Sequence, residues 1–208
     1  MKEETVVTLH GLWMAGPESV ILRHKLRVHG FKVVEFSYSS TAASLGHNAA
    51  SLNDFLAGLD AETVHLVGHS LGGLVIVRLL EDFPQQKPGR VVCLGTPVGG
   101  SVAARRLARW PLGAMALGES LSALEDGPDR WTAERDLGLI AGTREIGLGR
   151  FLGELESPND GTVSVAETRL PGARDHLCMP VSHTSMLVSE DVADQVGHFL
   201  REGTFIRD

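Results

Sequence analysis

A serine between two glycines is the first chemically informative feature of the sequence. The segment Val67-Gly68-His69-Ser70-Leu71-Gly72-Gly73 fits the pattern Gly-x-Ser-x-Gly, with an apolar strand-like run before it and an apolar helical run after it. In that context the serine occupies a sharp strand-to-helix turn whose backbone leaves no room for flanking side chains. The helix N-terminus beneath it favours developing negative charge. Ser70 is therefore predicted to be a nucleophile, and the competing interpretation is a serine that only caps the helix.

A serine hydroxyl needs a base within hydrogen-bond reach, and the base needs an acid that orients it. Of the nine histidines, His183 fits this role because it follows the last apolar run and so lies at the carboxyl end of a late strand. The others lie inside strands or helical patterns, or, like His69, are expected to point away from the nucleophile. His10 follows the first strand and is a candidate for organising a loop. The sequence predicts His183 as the general base.

The acid is expected from the loop that precedes the last strand. Ser157-Pro158-Asn159-Asp160-Gly161-Thr162-Val163 is built from residues that tolerate unusual turn conformations. A short aspartate on such a turn can hold an imidazole in one tautomer, so Asp160 is predicted to be the acid. The alternative is that Asp160 only closes an Asx-turn, in which case the acid is one of Asp175, Glu154 and Glu156.

Acyl chemistry at Ser70 also needs hydrogen-bond donors for a tetrahedral oxyanion. One donor is expected from the residue after the nucleophile, which is the Leu71 amide. The second is expected from the loop after the first strand, where the Leu12 amide follows Gly11. Trp13 is predicted to line the substrate pocket, and its competing role is that of a core residue.

The elements that must position these residues alternate between strands and helices. Strands are predicted at 5–9, 31–36, 63–67, 90–94, 137–141 and 176–181, and their nearly continuous apolar character suits a sheet covered on both faces. Helices are predicted from Pro17 to Gly30, along 45–59, over 74–80, and after Ser189 as N-cap. This order predicts a single α/β domain, 1–208, with a mostly parallel sheet of about six strands and helices on both faces.

Residues 99–131 interrupt the alternation because they contain no strand-like run. The segment mixes small residues with Arg105, Arg109, Trp110 and Met115, and it is expected to form one or two short helices. We interpret it as a small cap over the strand ends, with Met115 facing substrate. A plain surface excursion is the alternative.

Composition narrows the classes of partner. A formal charge of −7 without a basic run disfavours nucleic acid and anionic membranes. The acidic start of the chain lacks the pattern of an export signal, and no apolar run reaches membrane-spanning length. A cytoplasmic location is expected, with Cys93 and Cys178 as buried free thiols. No metal site or cofactor is expected, because no close ligand spacing occurs.

Taken together, these motifs resemble the α/β-hydrolase superfamily, and more narrowly the compact bacterial lipases and esterases, including the inositol-deacylase type. The matching residues are His10-Gly11, Gly68 to Gly73, Leu94-Gly95-Thr96-Pro97, Asn159 to Val163, and Ser182-His183. The resemblance implies the minimal α/β-hydrolase fold, without the usual first two strands, and a Ser-Asp-His order of catalytic residues. It also implies a small-molecule ester substrate, with an apolar acyl group expected from the cap composition. A thioesterase, an acyltransferase and a non-catalytic binding protein remain as alternatives.

Overall fold

The computed structural model describes residues 4–125, 127–147 and 155–207 of the chain. Its centre is one sheet of six strands in which every neighbouring pair is parallel. The strands are β1 (Thr5–Leu9), β2 (Lys32–Phe36), β3 (Val64–His69), β4 (Val91–Leu94), β5 (Leu137–Gly142) and β6 (Asp175–Met179). Each begins within one residue of its predicted start, which confirms the predicted α/β class.

The order of strands across the sheet is β2-β1-β3-β4-β5-β6. The chain therefore builds outward in one direction from β1 to β2 and in the other from β1 to β3. Ligands of open α/β sheets bind at the carboxyl ends of strands on either side of such a reversal. Leu12 follows β1 and Ser70 follows β3, so both residues lie at this switch point.

Seven α-helices are found in the described residues. They are α1 (Val20–Val28), α2 (Leu45–Ala57), α3 (Leu71–Asp82), α4 (Val102–Leu107), α5 (Pro111–Leu117), α6 (Leu121–Glu125) and α7 (Glu190–Glu202). Ser189 caps α7 as predicted, accepting a hydrogen bond from the Val192 amide. None of the helices in the described ranges combines the length and apolar character that a membrane span needs.

Apolar side chains are buried on both faces of the sheet. Adjacent residues of β1 point to opposite faces: Val7 packs in the cluster with α2 and α3, and Val6 in the cluster with α1 and α7. This explains why the strand sequences read as continuous apolar runs rather than as alternating patterns. Helix α3 is buried along most of its length, from Leu71 to Leu80.

Two details differ from the sequence predictions. The described residues of 99–131 form three short α-helices rather than one or two, because Pro111 cannot continue α4 and Gly118, with φ at 57°, ends α5. Cys93 is buried as expected, but Cys178 is exposed. The reason is that β6 lies at the edge of the sheet and its side chains are only partly covered.

Candidate active site

Ser70 occupies the turn between β3 and α3 in a backbone conformation that L-amino acids seldom adopt. Its φ is 53° and its ψ is −121°, well outside the broad allowed regions. Two backbone hydrogen bonds hold the turn: the Ser70 amide donates to Leu94 O at 2.8 Å, and Ser70 O accepts from the Gly73 amide at 3.0 Å. Because α3 begins at Leu71, the first amide groups of the helix, those of Leu71 and Gly72, lie next to Ser70 in the chain.

The two glycines that flank the serine are sterically required. A Cβ atom on Gly68 would lie 2.5 Å from the nitrogen of Gly73, and one on Gly72 would lie 2.6 Å from His10 O. Backbone atoms of a buried turn cannot retreat by the necessary distance. The elbow geometry inferred from the Gly-x-Ser-x-Gly pattern is therefore present.

Asp160 and His183 form a buried pair at the same end of the sheet. Asp160 Oδ2 lies 2.7 Å from His183 Nδ1, and the His183 amide donates to Asp160 O at 2.9 Å. The Asp160 residue is only 1% exposed and His183 only 8% exposed. A short bond between a carboxylate and an imidazole away from water fixes the orientation of the ring.

The second carboxylate oxygen of Asp160 organises its own loop. Oδ1 accepts hydrogen bonds from the Thr162 amide at 2.9 Å and the Val163 amide at 2.7 Å. From the sequence alone, an Asx-turn and a bond to the base were competing roles for Asp160. In the structure one oxygen serves each role, so the turn holds the carboxylate in place for His183.

Gly95 directly follows β4 and lies beside this pair. Its φ is 55°, and a Cβ atom there would lie 3.0 Å from His183 Nδ1 and 3.1 Å from Asp160 Oδ2. Glycine provides both the left-handed conformation and the space for the pair. The segment Leu94-Gly95-Thr96-Pro97 thus has a physical role that sequence reasoning quoted only as part of a resemblance.

The loop after β1 approaches Ser70 closely. A Cβ atom on Gly11 would lie 3.2 Å from Ser70 Cβ, so only glycine allows this approach without displacement. The next residue is Leu12, and no residue in the described ranges accepts a hydrogen bond from its amide. Leu12 is thus next in the chain to the glycine that approaches Ser70, and Leu71 is next to Ser70 itself; their role as oxyanion donors stays a prediction.

Residues after β2 support that loop, and sequence reasoning missed them. The Tyr38 hydroxyl donates to His10 O at 2.7 Å, and the Tyr38 ring stacks on the His10 ring with centroids 4.4 Å apart. Ser40 Oγ accepts a hydrogen bond from the Trp13 amide at 3.2 Å. Burial raises the pKa of Tyr38, so its hydroxyl stays a donor. The loop-organising role expected for His10 fits these contacts.

His69 does not point away from the site, contrary to the sequence expectation. Its Nε2 lies 2.8 Å from His183 O, and the two imidazole rings are 4.7 Å apart at their centroids. The physical reason is strand alternation: His69 is two residues after Val67, so both side chains point to the face of the sheet where Val67 packs in the cluster with Met186 and Leu187, which follow His183 closely in the chain. Burial, followed by the nearby His183, lowers the pKa of His69 to about 3.

Helix α5 lies beside the loop that carries Leu12. The Trp13 indole donates to Ala116 O in α5 at 2.9 Å, and the residue is 52% exposed, so Trp13 is not a core residue. Helix α5 carries no charged side chain, and Leu112 and Met115 on its outer side are 75% and 73% exposed. This places an apolar surface next to Trp13. Contact of Trp13 and Met115 with substrate stays a prediction.

The alternative acids lie elsewhere. Asp175 begins β6, at the opposite end of that strand from His183, and is held by Arg207 and the Phe205 amide. Glu156 is exposed, and Glu154 lies outside the described residues. Of the described acids considered, Asp160 is the one bonded to His183.

Comparison with known proteins agrees with this architecture. The model of the Alpha/beta hydrolase family matches residues 6–202. Similar solved structures include the mature form of the Bacillus licheniformis lipase BlEst2, at a TM-score of 0.73 and 21% identity over 89% of this chain and 87% of that chain. The metagenomic carboxyl esterase MGS0156 has a TM-score of 0.69 at 20% identity, over 88% of this chain and 65% of that chain. The pyrethroid hydrolase PytH has a TM-score of 0.68 at 14% identity, over 97% and 98% of the two chains. The family match spans both Ser70 and His183, and the chain belongs to the Alpha/beta hydrolase family.

Proposed function

We propose that the protein is a serine carboxylic-ester hydrolase that works through an acyl-enzyme. The observation that carries the proposal is the buried Asp160–His183 pair, with its 2.7 Å bond, joined to the strand that leads into the Ser70 turn. Two of the similar structures are named a lipase and a carboxyl esterase, which agrees with an ester as substrate.

In the proposed mechanism, Ser70 Oγ attacks the ester carbonyl while His183 Nε2 takes the hydroxyl proton. The Leu12 and Leu71 amides bind the oxygen that becomes negative. His183 then gives its proton to the departing alcohol, which leaves an acyl group on Ser70. Water attacks this acyl group with His183 again as base, so that a carboxylic acid departs and the serine hydroxyl is restored.

Asp160 keeps a constant role throughout the proposed cycle. As a carboxylate it accepts the proton of His183 Nδ1, which leaves Nε2 unprotonated and able to act as a base. It also stabilises the imidazolium that forms when His183 holds the serine proton. The bond between Ser70 Oγ and His183 Nε2 is part of this proposal.

The test is hydrolysis of p-nitrophenyl butyrate by the wild type and by Ser70→Ala, with fluorophosphonate labelling of both. We expect Ser70→Ala to lose at least about 10³-fold in kcat and to lose labelling altogether. An alanine variant as active as the wild type would show that Ser70 is not the nucleophile. A folded wild type that neither hydrolyses the ester nor reacts with the fluorophosphonate would favour a non-catalytic role.

The substrate is proposed to carry an apolar acyl group, because Trp13 and the uncharged helix α5 lie beside the Leu12 loop. A role of 99–131 as a cap over the site belongs to the same proposal. The narrower resemblance to the inositol-deacylase type and the cytoplasmic location stay predictions.

A further inference from the structure

His69 adjoins Ser70 in the chain and is bonded to the main chain of His183, although the proposed mechanism gives it no step. It is the last residue of β3 and directly precedes Ser70. Its side chain is buried, with the whole residue 2% exposed, and its Nε2 is 2.8 Å from the carbonyl oxygen of His183. The hydrogen bond of this buried side chain thus goes to the main chain of the proposed base. We asked what this bond contributes to the site.

The hydrogen bond fixes the tautomer of His69. A carbonyl oxygen only accepts, so Nε2 must carry the proton. Neutral imidazole has one N–H, which leaves Nδ1 unprotonated, and this atom has no hydrogen-bond partner among the described residues. A Cβ atom on Gly11 would lie 3.0 Å from it, so the loop after β1 closes over the ring. Burial keeps His69 neutral, and no second cation forms beside a protonated His183.

Within the part of the chain that the structure describes, His183 makes three hydrogen bonds, and one of them connects it to the strand that leads into Ser70. Its amide and its Nδ1 are both bonded to Asp160, at 2.9 and 2.7 Å. These two bonds fix His183 relative to the acid loop. The third bond, from His69 Nε2, fixes it relative to the residue before Ser70.

The third bond matters because of the strand order. His183 follows β6, and Ser70 follows β3, with β4 and β5 between them. Neighbouring strands lie about 4.8 Å apart, so β3 and β6 are separated by roughly 14 Å. His183 must therefore extend across the ends of β5 and β4 toward Ser70. The bond to His69 fixes the position of the His183 main chain relative to β3.

We propose that His69 is a positioning residue for the general base: its Nε2–H holds the main chain of His183 at the distance from Ser70 that proton transfer requires. This inference rests on the proposed hydrolase function. A displacement of about 1 Å at a reacting group can cost up to about 10²-fold in rate. The loss should fall on kcat, because His69 is buried beneath the site and does not offer a surface to substrate.

The test compares His69→Phe with His69→Gln. Phenylalanine keeps a planar ring but has no donor, whereas the glutamine amide nitrogen can occupy the position of Nε2 and donate to His183 O. We expect His69→Phe to lose about 10- to 100-fold in kcat with KM within about twofold of the wild type. We expect His69→Gln to keep kcat within about fivefold. Circular dichroism and thermal unfolding establish that each variant is folded.

A second readout does not depend on activity. In wild-type protein labelled with ¹⁵N-histidine, and with the His69 signals assigned from the His69→Gln spectrum, His69 should show the Nε2–H tautomer and no titration between pH 5 and 8. The inference is overturned by a folded His69→Phe with wild-type kcat, by equal losses in both variants, or by an Nδ1–H tautomer. If His69→Phe does not fold, the inference is judged by the kcat of His69→Gln and by the tautomer of His69 in the wild type.

Failure of the proposed function looks different from failure of this inference. If the proposed function is wrong, Ser70→Ala and the wild type have the same activity in the same assay, whatever the residue at position 69. If hydrolysis depends on Ser70 but not on the donor at position 69, only the positioning role is wrong.

Discussion

Replacing Asp160 by asparagine separates the charge of this side chain from its role in the loop. In the wild type, Oδ1 accepts from the Thr162 and Val163 amides, and Oδ2 lies 2.7 Å from His183 Nδ1. The asparagine oxygen can keep the first two bonds. Its NH₂ group then faces His183, and since that group only donates, Nδ1 must become the acceptor. The imidazole proton moves to Nε2, and the ring can no longer take a proton from Ser70.

The expected cost is large in catalysis and small in folding. A base held in the wrong tautomer reduces kcat by about 10³- to 10⁴-fold, which corresponds to about 4 to 5.5 kcal/mol in activation free energy. A neutral hydrogen bond replaces one to a charged group, so the unfolding free energy falls by no more than about 1.5 to 3 kcal/mol. The Asx-turn survives, so Asp160→Asn should remain folded at room temperature.

The assay is steady-state hydrolysis of p-nitrophenyl butyrate, with urea unfolding measured on the same preparations. Asp175→Asn is the matched control, because Asp175 is bonded to Arg207 at the start of β6, away from the carboxyl ends of the strands. We expect the control to keep kcat within about twofold. The reasoning is refuted if Asp160→Asn stays within tenfold of the wild type, or if Asp175→Asn loses as much activity.

Three further predictions concern stability, the loop after β1 and the surface of α5. Burial lowers the pKa of His65 to about 4 and that of His69 to about 3, whereas histidines of the unfolded chain titrate near 6.5. The stability that these neutral histidines contribute is therefore complete above pH 6.5 and decreases as the pH falls toward 4, by up to about 1.4 kcal/mol per pH unit for each. In urea unfolding, the difference in unfolding free energy between pH 7.5 and pH 5 should be smaller for His69→Gln than for the wild type. Equal differences would contradict the assignment. Tyr38→Phe removes the 2.7 Å bond to His10 O and should lower kcat several-fold and the unfolding free energy by about 1 kcal/mol; unchanged kinetics would exclude Tyr38 from supporting the Leu12 loop. Met115→Ser should reduce kcat/KM for dodecanoate esters more than for acetate esters, by about threefold or more, while Val28→Ser, at an equally exposed site on α1, should leave the ratio unchanged.

The sequence was sufficient to predict the strands and the pairing of Asp160 with His183. The strands were readable because both faces of a parallel sheet are covered, which makes each one a continuous apolar run between polar turns. Asp160 and His183 could be predicted from the sequence because each follows a turn or strand-end signal, at the edge of the sheet where the carboxyl ends of the strands meet. These features depend on local patterns that a single sequence contains.

Features that depend on the order of strands across the sheet were not predictable. Cys178 was expected to be buried, but its exposure follows from β6 being an edge strand, and the sequence does not state which strand lies at the edge. The bond between His69 and His183 likewise joins residues 114 positions apart. The contacts of Tyr38 with His10 required knowing that β2 lies next to β1.

The backbone of Ser70 has a consequence for how this protein tolerates change. A non-glycine residue at φ 53° and ψ −121° costs the native state about 1 to 3 kcal/mol, and glycine would remove most of that strain while costing about 0.5 to 1 kcal/mol in unfolded-chain entropy. The fold would therefore gain stability by losing Ser70, the proposed nucleophile. Screening variants of this protein for heat resistance alone would favour loss of the serine, and a stabilised variant is useful only if activity is selected in the same experiment.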